Sequence, residues 1–128
     1  MTNPYQILEV EETSPISLIK ANYRNLSAKY HPDKVGDNNE NSNKKFLEIT
    51  EAFRQIKLEI KSLYTFLGID AENGGDDIRA AYFRKKEEIS VGLKKGLSNA
   101  ISDEQKLKKA YNLIVSELID DNNNSQNW

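Results

Sequence analysis

The chain has no cysteine and only one histidine, one methionine and one tryptophan in 128 residues. Without cysteine there are no disulfides, no thiolate zinc site and no iron–sulfur ligand set. With His31 as the one histidine, a His/Cys metal centre has too few ligands, and no metal or cofactor is expected. One histidine among scattered serines and aspartates also defines no nucleophile–histidine–acid constellation, so an enzyme is not expected. Long apolar runs are missing as well, and none approaches the roughly 20 residues of a membrane-spanning helix. Met1-Thr2-Asn3-Pro4 has no cationic stretch leading into an apolar one. A cleaved secretion signal is therefore not expected, and a cytoplasmic location is. The net charge of −2 argues against nucleic-acid binding by charge alone.

What is present fits a small helical protein. Hydrophobic residues make up 38% and charged residues 30%, enough for one modest core or two very small ones. Residues 4–8 read as a short helix. Ser14 as N-cap and Pro15 at the first helical position predict a helix over 15–30, with Ile16, Ile19, Tyr23, Leu26 and Tyr30 at helical spacing. Val35 to Asn43, rich in Asn, Asp and Gly, reads as a loop. A third helix is expected from about Asn43 to about 61, because Phe46, Ile49, Phe53, Ile56, Ile60 and Leu63 form one stripe without Gly or Pro. Asn73-Gly74-Gly75 reads as a turn, with Asn73 or Asp76 capping a helix over 76–91 that ends near Gly92. Ser102 is expected to cap a last helix through Ile119, and 121–128 to be a disordered tail.

His31-Pro32-Asp33 is the most informative triplet. Pro32 has a fixed φ and no N–H, and it keeps His31 out of the helical region, so the second helix should stop at Tyr30. His31 and Asp33 are then held on a short exposed turn. From Thr13 to Pro32 there is no acidic residue, yet Lys20, Arg24 and Lys29 are there, with Lys34 just beyond. Lys20 and Arg24 share one helix face. On composition alone a basic stripe is a solvated helix face.

These residues resemble the J-domain of DnaJ-type co-chaperones over roughly residues 3 to 57. The resemblance rests on Tyr5-Gln6-Ile7-Leu8-Glu9-Val10, on Ile19 to Leu26, on Lys29-Tyr30-His31-Pro32-Asp33-Lys34, and on Phe46, Ile49, Ala52, Phe53 and Ile56. It implies that the basic face docks on an acidic surface of a DnaK-class ATPase chaperone, with Lys20, Tyr23 and Arg24 at contact positions. His31, Pro32, Asp33 and Lys34 would then engage the partner and bias it toward hydrolysis, the J-domain doing no chemistry itself. Asp33 could accept a bidentate hydrogen bond from an arginine of the partner. Phe46 matches a position that supports this surface. Asn22 departs from the family's usual alanine and is expected to weaken core packing slightly. The zinc-finger module of some DnaJ proteins is excluded by the lack of cysteine.

The chain also repeats itself. At an offset of 59, Tyr5, Leu8, Val10, Ile19, Tyr23 and Tyr30 meet Tyr64, Leu67, Ile69, Ile78, Tyr82 and Ile89. At an offset of 58, Ile49, Ala52, Phe53 and Ile56 meet Leu107, Ala110, Tyr111 and Ile114. Gly68 supplies the family's usual glycine where the first copy has Glu9. The turn is lost, since His31, Pro32 and Asp33 map to Ser90, Val91 and Gly92. The basic stretch from Arg79 to Lys95 is offset by Asp76, Asp77, Glu87 and Glu88, which favours a solvated helix.

The expectation is an all-α protein of two tandem J-type antiparallel helical hairpins, a J-domain over 1–61 and a degenerate copy over 62–120. The leading function is a monomeric co-chaperone that stimulates a DnaK-class ATPase. The second copy is then structural, masks the first, or binds a client or recruiting protein. The alternative is a J-fold scaffold without ATPase stimulation, and a nucleic-acid binder comes third.

Overall fold

The computed structural model describes residues 3–35, 40–70 and 72–118, and every regular element among them is helical. The chain parts into two compact units between Glu59 and Ile60.

The first unit contains α1 (Pro4–Ile7), α2 (Ile16–Tyr30), α3 (Pro32–Val35) and most of α4 (Glu40–Leu67). Asn3 Oδ1 accepts from the Tyr5 N–H at 2.8 Å and Pro4 follows at the first helical position, so α1 starts with its free donors reduced. It ends in a left-handed cap, where Glu9 has φ 58°. There the Val10 N–H donates to Tyr5 O and the Glu9 N–H to Gln6 O, both at 3.0 Å. Left-handed backbone costs an L-residue about 1–2 kcal/mol. Asn22 of α2 offsets part of this, donating its Nδ2 to Leu8 O and Glu9 O at 3.1 Å each. Asn22 is thus a brace between two elements, a correction to its reading as a packing defect.

The helix over 15–30 begins one residue late, and Ser14 is not its cap. The Ser14 hydroxyl is already used, accepting from the Glu11 N–H at 3.0 Å. Pro15, in extended conformation, is the N-cap. The expected loop over 35–43 is shortened from its far end: 40–43 are already helical, and 36–39 lie outside the described residues. Leu8, Ile19, Ile49 and Ile56 are fully enclosed and form the core of this unit with Tyr5, Leu26 and Ala52. The Tyr5 hydroxyl donates to Glu59 at 2.9 Å.

The second unit contains the end of α4, α5 (Gly75–Lys94) and α6 (Ser98–Ala110), which runs through a π-helical stretch, Tyr111–Val115, to residue 118. Four boundaries differ from expectation. First, α4 continues to Leu67, because nothing interrupts it before Gly68 at φ 79°. Tyr64–Leu67 is therefore its last turn. Second, neither Asn73 nor Asp76 caps α5. Asn73 Oδ1 accepts from the Asp70 N–H at 2.9 Å, its Nδ2 donates to Asp77, and Gly74 is the N-cap. Third, α5 passes through Gly92. A Cβ there would lie 3.2 Å from Ala100 Cβ, so this glycine serves the close approach of α6. The terminator is Gly96 at φ 72°. Fourth, α6 starts at Ser98 with Leu97 as N-cap, leaving Ser102 inside the helix. In the π-helical stretch the Ser116 N–H reaches back to Tyr111 O, and the widened turn puts Leu113, Ile114 and Val115 all in the core. The tail over 121–128 lies outside the described residues.

Several details recur at the offsets of 59 and 58. The Ile69 N–H donates to Tyr64 O and the Gly68 N–H to Thr65 O, both at 3.0 Å, as at Val10 and Glu9. The Asn73 N–H donates to Asp70 O at 3.2 Å, as the Ser14 N–H does to Glu11 O at 3.0 Å. Tyr23 stacks on Phe53 with centroids 4.1 Å apart, and Tyr82 meets Tyr111 at 5.6 Å.

Candidate partner-docking surface

The eight residues singled out by sequence fall on α2, the α2–α3 junction and the start of α4. His31 is the C-cap of α2, with φ −62° and ψ 135°, and Pro32 opens α3. The turn is thus a helix break followed at once by a new helical turn. His31 Nδ1 accepts from the Asp33 N–H at 3.2 Å, so that nitrogen carries no proton in this arrangement. The His31 ring meets Phe46 edge-on, with centroids 5.3 Å apart and planes at 76°. One ring nitrogen and one ring edge are thereby committed to holding the turn. The Asp33 side chain is 90% exposed, with His31 Nδ1 3.7 Å from its carboxylate. Its carboxylate is free to accept from an incoming donor.

Lys20 and Arg24 are exposed on α2. Neither has an ion pair among the described residues. Tyr23 differs from them, since its ring is half-buried on Phe53 and belongs to the scaffold as much as to the surface. Lys34 lies in α3, and its side chain is outside the described residues. Lys29, not singled out beyond its charge, sits over the Tyr30 ring at 5.4 Å at the end of α2. Asn22 is the residue whose role sequence reading missed. Its only signal was the exchange of an apolar residue for an amide opposite a non-glycine at the left-handed position. Among the described residues no group of acidic or histidine side chains converges as a metal site, and no helix is long and apolar enough to cross a membrane.

The family model for the DnaJ domain matches residues 3–61, and this part of the chain is a DnaJ domain. The chain is 34% identical over 99 residues to DnaJ homolog subfamily B member 8 of Homo sapiens, covering 70% of this chain and 43% of that protein. It is 42% identical over 73 residues to the DnaJ-related protein SCJ1 of Saccharomyces cerevisiae, covering 56% of this chain and 19% of that protein. With DnaJ homolog subfamily B member 7 of Mus musculus it shares 32% identity over 97 residues, covering 70% of this chain and 31% of that protein. The chain thus spans less than half the length of these curated relatives. No solved structure matches it.

Proposed function

We propose that the chain is a co-chaperone that binds a DnaK-class ATPase through the basic face of α2 and the His31-Pro32-Asp33 turn, and stimulates its ATP hydrolysis. The observation that carries this reading is the turn itself, a break between two helices with an open carboxylate at Asp33, following a helix whose Lys20 and Arg24 have no ion pair among the described residues. Pro32 lowers the ordering cost of binding, and Asp33 offers a charge-assisted contact. The partner's equilibrium shifts toward the hydrolysing state because that state binds the turn better. No chemistry is assigned to the chain itself.

The second unit is read as a degenerate copy that supports or regulates the first, or recruits a further protein. What supports this is the recurrence of the left-handed cap and the entry turn at the offset of 59, and of the aromatic pair across the offsets of 59 and 58. In place of the His-Pro-Asp turn, Ser90, Val91 and Gly92 continue α5.

The test is single-turnover ATP hydrolysis by a DnaK-class chaperone. Wild type should accelerate it. Asp33→Asn should lose the acceleration, and Lys20→Glu with Arg24→Glu should raise the concentration needed for half-maximal effect about tenfold or more. Acceleration unaffected by both variants would overturn the turn and the basic face as the contact, and no acceleration by wild type would leave the scaffold reading.

A further inference from the structure

Between α5 and α6, wholly within the second unit, lies a groove of about 390 Å³. Tyr82, Ile89, Leu93 and Leu107 supply its apolar surface, and Lys86, Lys108 and Glu104 its polar one. None of these three charged residues has an ion pair among the described residues, so the rim carries two free cations against one free carboxylate. Leu93 is 38% exposed at its edge, an apolar side chain left part-way out of the core.

The groove has a physical origin in the repeat. In the first unit the equivalent junction is closed by the edge-on pair of His31 and Phe46. At the two offsets their places are taken by Ser90 and Glu104, both of which line the groove. Two aromatic rings have been exchanged for a hydroxymethyl and a flexible carboxylate, and neither can fill the space. The helix also runs on past this point, so Leu93 extends the apolar surface where the first unit turns away into α3.

We infer that this groove binds an acidic peptide segment bearing an apolar anchor. The anchor, leucine-sized, sits on Ile89, Leu93 and Leu107, and flanking carboxylates are held by Lys86 and Lys108. Apolar burial supplies affinity, while the uncommitted lysines select sign and orientation. The inference rests on the geometry of the second unit and not on ATPase stimulation, so either can fail alone.

The experiment uses the full ¹⁵N-labelled chain and NMR amide shifts, titrated with a short capped peptide of two leucines flanked by aspartates and glutamates. Two control peptides replace the leucines with alanine or the acidic residues with lysine. The expected result is saturable shifts over Ile89–Leu93 and Glu104–Lys108, with each control about tenfold weaker or more. Ser90→His with Glu104→Phe, which restores the aromatic pair, should remove these shifts while far-UV circular dichroism keeps its helical amplitude. Should that variant not fold, Lys86→Glu with Lys108→Glu decides, by reversing the preference toward the lysine peptide. Equal binding of the alanine peptide would overturn the anchor. The inference would also fall if saturable shifts were absent up to about 1 mM peptide, a free energy near −4 kcal/mol. Shifts of the same amides with protein concentration alone would overturn it in favour of a second copy of the chain.

Discussion

At the end of α1 the left-handed residue is Glu9, and Asn22 reaches across to hold the carbonyls of Leu8 and Glu9. At the end of α4 the left-handed residue is Gly68, and the residue in register with Asn22 is Ala81, buried with no amide to offer. One backbone conformation has been reached by two chemistries. Where glycine takes the left-handed turn without strain, the neighbouring helix can present a plain methyl. Where glutamate takes it, the neighbouring helix presents a donor. The units part company at the His31-Pro32-Asp33 turn. The first breaks its helix at Pro32 and pins the break with His31 on Phe46. The second keeps its helix whole to Lys94 and leaves a groove. Scaffold and His-Pro-Asp turn are therefore separable features, and each can be perturbed alone.

The strongest perturbation is of the shared scaffold. Ile56→Ala and Ile114→Ala remove side chains at the same register position, 0% and 7% exposed. Each should destabilise its unit by about 2–5 kcal/mol in urea unfolding, with Ile56 toward the upper end. A cost below about 1 kcal/mol at Ile114 would mean that the second unit does not use the same core.

The aromatic pairs come next. Tyr23 and Phe53 are stacked at 11°, whereas Tyr82 and Tyr111 are tilted at 43°. Double-mutant cycles to alanine should give a coupling of about 1 kcal/mol for the first pair and less for the second. The reverse order would break the comparison.

The left-handed turns should respond in opposite directions. Glu9→Gly should stabilise by about 1 kcal/mol and Gly68→Glu should destabilise by a similar amount, read from thermal or urea melts. Asn22→Ala should cost about 1 kcal/mol. Combining Glu9→Gly with Asn22→Ala copies the solution of the second unit and should fall between the two single variants.

The smallest effect is in alkali. Burial first, then the hydrogen bond to Glu59, hold the Tyr5 hydroxyl well above its ordinary value of 10.0. Burial also raises Tyr64, its counterpart in register. A phenol raised in the folded state contributes stability that is fully present below about pH 10 and is lost as pH climbs toward the raised value. Melting temperature should therefore fall above pH 10, and Tyr5→Phe should flatten that fall.

These contrasts also explain what could be read from the sequence. Helical spacing of Ile19, Tyr23, Leu26 and Tyr30, and the break at Pro32, gave α2 and its end. The repeat offset anticipated which residues are buried in the second unit, because Ile78, Leu107, Ala110 and Ile114 copy the spacing of the first. Boundaries moved where one residue type serves two purposes. Gly92 and Gly96 lie four apart, and sequence does not distinguish the glycine that admits Ala100 from the one that takes the left-handed turn. Ser14 and Ser102 both look like caps, yet one closes an earlier turn and the other sits mid-helix. The π-helical stretch leaves no trace beyond three consecutive apolar residues. At the candidate docking surface the residue types of the turn were legible. The tie from His31 to Phe46 and the brace from Asn22 are contacts between elements, which spacing along the chain does not reveal.

The most direct test of the account compares one substitution in the turn of the first unit with one in the segment that takes its place in the second. Single-turnover ATP hydrolysis by a DnaK-class chaperone is measured with the wild-type chain, His31→Gln and Val91→Ala. The account predicts acceleration by wild type, full acceleration by Val91→Ala, and a rate at the unstimulated level with His31→Gln. Undiminished acceleration by His31→Gln, with the loss appearing at Val91→Ala instead, would contradict it.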